Sequence, residues 1–227
     1  MRSEIAPDGG LAYAETNLSR LFPEPLNALT SCFFLGLAVY WTIKLRGNYK
    51  QHRYLTVALI LLYIGGIGGT VYHGLRQWTM FILMDWLPIM LLCVSTGVYF
   101  LTKLIKWYYA LGIVAIYIGF QFFLRDRLFS HDPQLFININ YAMMAMLVLL
   151  PVFAYLIHTK WLYGKWVGLA FLTFICALTF RIADKWLWFE FGTHFLWHIF
   201  GAIASFCMFN YIFLVNQDQP SVKGRLP

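Results

Sequence analysis

The sequence predicts an all-α fold, a seven-transmembrane helical bundle, and three observations carry that prediction. Of its 227 residues, 60% are hydrophobic and only 12% are charged, with a mean hydropathy of +0.64, a balance outside the range of a water-soluble domain. Seven apolar runs follow one another, each close to the ~20 residues that cross a ~30 Å hydrocarbon core. The charged residues fall mainly between those runs, in short connections.

In chain order, the polar residues 1–24 form an outer N-terminal segment with Glu4, Asp8, Glu15 and Glu24. They lack the basic start and apolar centre of a cleavable signal peptide, so they are expected to belong to the mature protein. The spans are Leu26–Lys44, Tyr54–Tyr72, Trp78–Leu101, Trp107–Leu124, Gln134–Ile157, Lys165–Ala183 and Gly192–Val215. Residues 25–215 thus make one membrane domain, and 216–227 an inner C-terminal tail. In the second span "IGGIGG", Ile64 to Gly69, offers a small-residue face for close approach of a neighbouring helix. Pro88 and Pro151 are expected to kink the third and fifth spans. Asn138 and Asn140, at the outer end of the fifth, suit either a polar cavity or interhelical hydrogen bonds.

The formal net charge is +7. Its basic residues punctuate the spans and form no aromatic-interleaved basic face, so a nucleic-acid partner is not expected. With the first helix running outside to inside, the inner side collects ten basic residues against seven outside, which favours an outer or lumenal N-terminus and a cytoplasmic C-terminus. Cys32, Cys93, Cys176 and Cys207 all lie within spans and make no disulfide framework or paired-thiol metal motif. Asn17-Leu18-Ser19 is a glycosylation sequon, informative only in a eukaryotic secretory pathway. The sequence is silent on oligomeric state.

Six histidines divide into two groups. His52, His131 and His158 fall in connections, where solvated surface is expected. His73 lies about 28 Å along the second helix at ~1.5 Å per residue, at the outer edge. The seventh helix begins at that edge, so His194 and His198 occupy its first two turns. Asp85 enters the third helix about 10 Å below the same surface. Span counting alone therefore brings four costly polar residues to one layer. An i, i+4 histidine pair shares a helix face, and with a third imidazole it forms the three-nitrogen set that zinc accepts with one position open. Zinc activates water and polarises a carbonyl, and a nearby carboxylate can take and return the proton. Each residue singly could serve as a structural hydrogen-bonding group; the four together point to a metal site.

Three segments, "GGTVYHGLRQWTMFILMDWLPIML", "THFLWHIFGAIAS" and "ETNLSRLFPEPLNALTS", resemble the alkaline ceramidases and the wider CREST superfamily of seven-helix membrane hydrolases and receptors. The resemblance implies that His73, His194 and His198 bind zinc and that Asp85, followed here by Trp-Leu-Pro, is the family's catalytic aspartate. It also implies a calcium site built from Glu15, Asn17 and Glu24, residues that serve equally well as helix caps. The family has a serine four residues before the first histidine. Gly69 stands there in this chain, and the adjacent Thr70 is the candidate hydroxyl.

The expected function is that of a zinc-dependent lipid amide hydrolase, ceramidase-like, cleaving an N-acyl lipid that enters from the membrane. The alternative is a seven-helix lipid receptor or sensor with a structural zinc and no turnover. Retinal binding would need a buried Schiff-base lysine, which the seventh span lacks. A single haem is disfavoured because His194 and His198 project from one face. The paired broken helices of a transporter are not evident.

Overall fold

A computed structural model describes residues 6–128 and 133–218; the side chains of residues 126, 128, 133–138 and 140–142 also lie outside the described part, which leaves Asn138, Asn140 and His131 there. The described residues are helical, without strands. The helices are α1 Pro25–Leu45, α2 Arg53–Leu75, α3 Thr79–Leu104, α4 Trp107–Leu128, α5 Pro133–His158, α6 Gly164–Ala183 and α7 His194–Gln217, with a 3₁₀ turn at Asp184–Trp186 before α7. Six of them, all but α5, contain stretches long and apolar enough to cross a membrane; the described apolar part of α5, Met143–His158, is shorter. The chain is therefore a multi-pass membrane protein.

Each predicted span falls on one helix, with ends that differ by a few residues. Pro25 opens α1, where its missing N–H costs nothing. That helix stops at Leu45, with Gly47 just beyond in the left-handed region at φ 83°. Helix α2 ends on Arg76, also left-handed at φ 53° although it carries a side chain.

Two compact units emerge. One comprises residues 6–89 and 163–218, holding α1, α2, the first part of α3, α6 and α7; the other is residues 90–162. In the first unit α1 packs on α2 and α7, and α6 on α7. The small-residue face of α2 behaves as expected. A Cβ at Gly66 would come within 2.7 Å of Leu35 Cδ2, and one at Gly68 within 2.5 Å of the Met84 backbone carbonyl carbon, so larger residues would push α1 or α3 away. At the other end of this unit Trp41 is fully buried among Phe206, Phe209 and Phe213. His52 corrects an expectation. It is 1% exposed and stacks on Phe213 with centroids 4.6 Å apart, because the α1–α2 connection folds back over α7. Burial lowers its pKa below the ordinary value, so the ring is held neutral. His158 is exposed, as expected for a connection.

In the second unit α4 packs on α5, and Phe100 is buried against Tyr155 at 5.3 Å. Exposed Leu111, Ile116, Phe122 and Phe123 on α4 make an apolar face suited to lipid.

Candidate metal centre

The end of α2, the first two turns of α7 and the residues before α1 meet in the first unit. His73 is 0% exposed, and His194 and His198 are 3% exposed. Each offers a ring nitrogen, and the three ligand atoms lie within 4.8 Å of one another. It is the one such group of histidine, cysteine and carboxylate side chains among the described residues.

The partners of the rings fix their protons. His73 Nδ1 lies 2.5 Å from Glu24 Oε2. A carboxylate can only accept, so the proton sits on Nδ1 and leaves the Nε2 lone pair free. That Nε2 is buried without a hydrogen-bond partner, as is Nδ1 of His194. His198 Nδ1 lies 3.0 Å from Thr30 Oγ1, which itself donates to the Leu26 carbonyl at 2.7 Å. Thr30 therefore accepts from Nδ1, and Nε2 of His198 is again the lone-pair nitrogen. Buried unpaired polar atoms cost on the order of 1–3 kcal/mol each, and a metal ion would remove that cost from a ring nitrogen that presents its lone pair.

Asp85 stands beside this group. It is half-buried and within electrostatic reach of His73 and Arg181. A Cβ on Gly69 would lie 2.6 Å from Asp85 Oδ1 and 3.2 Å from Ser31 Oγ, so the absence of a side chain at position 69 makes room for the carboxylate. Thr70 is placed differently from the expectation. Its hydroxyl donates to the Gly66 carbonyl at 2.7 Å and meets Cys32 Sγ at 3.5 Å, facing α1. Ser31 reaches the site instead, 3.4 Å from His198 Nδ1.

Two distant carboxylates hold the helix starts that carry these residues. Glu15 accepts the backbone N–H groups of Leu26 and Asn27 at 2.7 and 2.9 Å, doing for α1 what an N-cap side chain usually does. Burial raises its pKa, and the two N–H bonds oppose that rise. Asp184 Oδ1 likewise accepts from Thr193 and His194 N–H at 2.8 and 2.9 Å, while its Oδ2 accepts from Ala14 N–H at 3.0 Å. Asp184 thus fixes the first turn of α7 and ties residue 14 to it. Gly192, at φ 69°, has the side chains of Asp184 and Ala14 directly against the place a Cβ would take. Tyr13, next in the chain to Ala14, stacks on His194 with centroids 3.8 Å apart and planes at 21°.

Of the candidate calcium ligands, Asn17 Oδ1 accepts from the backbone and hydroxyl of Ser19. Glu24 Oε1 accepts from Thr16 Oγ1 and the Arg76 guanidinium, and Oε2 from Asn27 Nδ2 and His73. With both Glu15 oxygens on the α1 backbone, every side-chain oxygen of the three already accepts a hydrogen bond from the chain.

Tyr13, Arg76, Asp184 and Ser31 were not singled out by the sequence. Arg76 and Asp184 could be counted only as loop charges, and nothing local marks Tyr13 or Ser31. No protein-family model matches the chain, and no curated protein matches it.

Proposed function

We propose that the chain is a seven-span, zinc-dependent hydrolase of N-acyl lipids, ceramidase-like, with the N-terminus outside and the C-terminus in the cytoplasm. The observation that supports it most is the pair of unpartnered buried nitrogens on His73 and His194, in a group of three imidazoles whose ligand atoms lie within 4.8 Å of one another. Three imidazoles suit zinc, and nitrogens on a tetrahedral zinc stand about 3.4 Å apart. The observed group is within a side-chain adjustment of that spacing.

Zinc held there supplies a Lewis acid that polarises an acyl carbonyl and activates water. Asp85 takes the proton of the attacking water and returns it to the leaving nitrogen as the amide C–N bond breaks. A fatty acid and an amine leave. Ser31 presents a hydroxyl near the reacting centre, and Arg181, on α6, adds positive potential that favours the developing anion. The lipid-sensor alternative draws on Gly69 standing where the resembled family has its serine. Ser31, by bringing a hydroxyl to the same place from α1, weighs for turnover.

Asp85→Asn tests the assignment. Zinc content should be unchanged, while hydrolysis of a fluorescent ceramide falls by ~10²–10⁴-fold. Undiminished turnover would remove Asp85 from the reaction. Absence of turnover in the zinc-loaded wild type across N-acyl lipids and esters would favour the sensor.

A further inference from the structure

We propose that Arg76 is a built-in counter-cation: its guanidinium holds Asp8 and Glu24, and through Glu24 it sets the ring of His73, coupling residues 6–24 to metal affinity without a calcium ion. This inference rests on the metal-centre reading above.

Arg76, Asp8 and Glu24 have side chains 0% exposed, and so has His73. Arg76 Nε donates to Asp8 Oδ2 at 2.7 Å, its Nη2 to Asp8 Oδ1 at 3.2 Å, and its Nη1 to Glu24 Oε1. The first two bonds form the two-pronged pairing that a planar guanidinium makes and an ammonium cannot. The guanidinium also lies 4.7 Å over the Tyr72 ring. Its backbone is left-handed at φ 53°, a conformation that glycine adopts more cheaply. A side chain retained at such a position, wholly buried and fully paired, has a task there.

One end of that task is the N-terminal segment. Asp8 Oδ1 accepts the Gly10 N–H at 2.7 Å, and the Asp8 carbonyl accepts from Thr79 Oγ1 at 2.9 Å. A Cβ on Gly10 would come within 2.6 Å of Tyr72 Oη and 3.1 Å of Arg76 Nη2, so glycine lets the segment lie directly on the ion pair. The other end is His73. A carboxylate that receives the N–H of a ligating histidine fixes its ring and its tautomer, and Glu24 does so while Arg76 balances its charge. Two carboxylates buried together would otherwise need a cation. Here the chain provides it through Arg76, while the oxygens of Glu15 and Asn17 accept hydrogen bonds from Leu26, Asn27 and Ser19. Arg76, Glu24 and Asp8 are positioning residues in this scheme.

The test is zinc affinity of the purified full-length protein, by competition with a chromophoric chelator, with calcium in excess or removed by EGTA. Calcium should change neither the affinity nor the unfolding temperature of the wild type. Glu24→Gln should weaken zinc binding by ~10–100-fold. Arg76→Met should do the same and open residues 6–24 to proteolysis, whereas Arg76→Lys should recover only part of the loss. Asp8→Asn leaves Glu24 and His73 intact and gives a foldable variant: it should loosen the segment and weaken zinc by a smaller factor. A purely structural role for the cluster predicts lower unfolding temperatures with wild-type zinc affinity in every folded variant, and that result would overturn the inference alone. Calcium-dependent affinity in the wild type would overturn it too. A wild type that binds no metal would overturn the metal-centre reading and this inference with it.

Discussion

Tyr13 shows how much of the site is contributed from outside the helices. Its ring stacks on His194, and its neighbour Ala14 donates to Asp184, so the phenol is held over the histidine group by that stacking and by a hydrogen bond one residue away. Burial, opposed by the Arg181 charge, pushes its pKa from 10.0 up to about 12. The group's folded-state pKa is raised, so its contribution to stability is fully present below pH 10 and is lost as the pH rises through about 12. Thermal unfolding followed across that window should show a loss of stability in the wild type that Tyr13→Phe reduces. An unchanged alkaline profile in the variant would mean that the phenol does not titrate in this environment. Glu24 has the opposite character. Burial alone would raise its pKa, but the His73 hydrogen bond and the charges around it hold it below the ordinary value, as expected of a carboxylate that stays ionised between partners.

Helix ends, more than helix faces, assemble the centre. His73 sits in the last turn of α2, His194 is the first residue of α7, and Glu24 directly precedes α1. Caps supplied from a distance, by Glu15 and Asp184, put those ends in register. The i, i+4 spacing of His194 and His198 was legible because helical periodicity alone places both rings on one face. The convergence of His73 and Asp85 on them was legible from rise per residue. Asp184 and Arg76 were not, since a charge in a connection reads as solvated until the fold shows what covers it, and both are buried. Thr70 was misplaced for a related reason. The residue next to a family position points about 100° away around a helix, and here that direction faces α1. Gly69 gives the sharpest test at this scale. Gly69→Ala drives a methyl against Asp85 Oδ1, so hydrolysis should fall at least tenfold while zinc remains bound. Equal turnover in the variant would separate Asp85's observed position from any part in the reaction.

For the whole molecule, composition sets the solvent. A chain with 60% hydrophobic residues must satisfy its backbone internally, and helices do so within a single segment. The membrane-length helices and the α2 glycine face follow from that constraint and were legible in advance. The N-terminal segment was the least legible region, because its fold comes from buried ion pairs and caps to residues far along the chain, Asp8 with Arg76 and Ala14 with Asp184. The membrane-length helices therefore carry a buried polar centre, and the non-helical residues before α1 lie against it. Whether the three imidazoles hold a metal is read from the metal content, by mass spectrometry, of the purified, unchelated protein, wild type beside His194→Ala and His198→Ala. Near-stoichiometric zinc in the wild type and its loss from both folded variants is the result predicted here; a folded wild type without transition metal would contradict a metal centre.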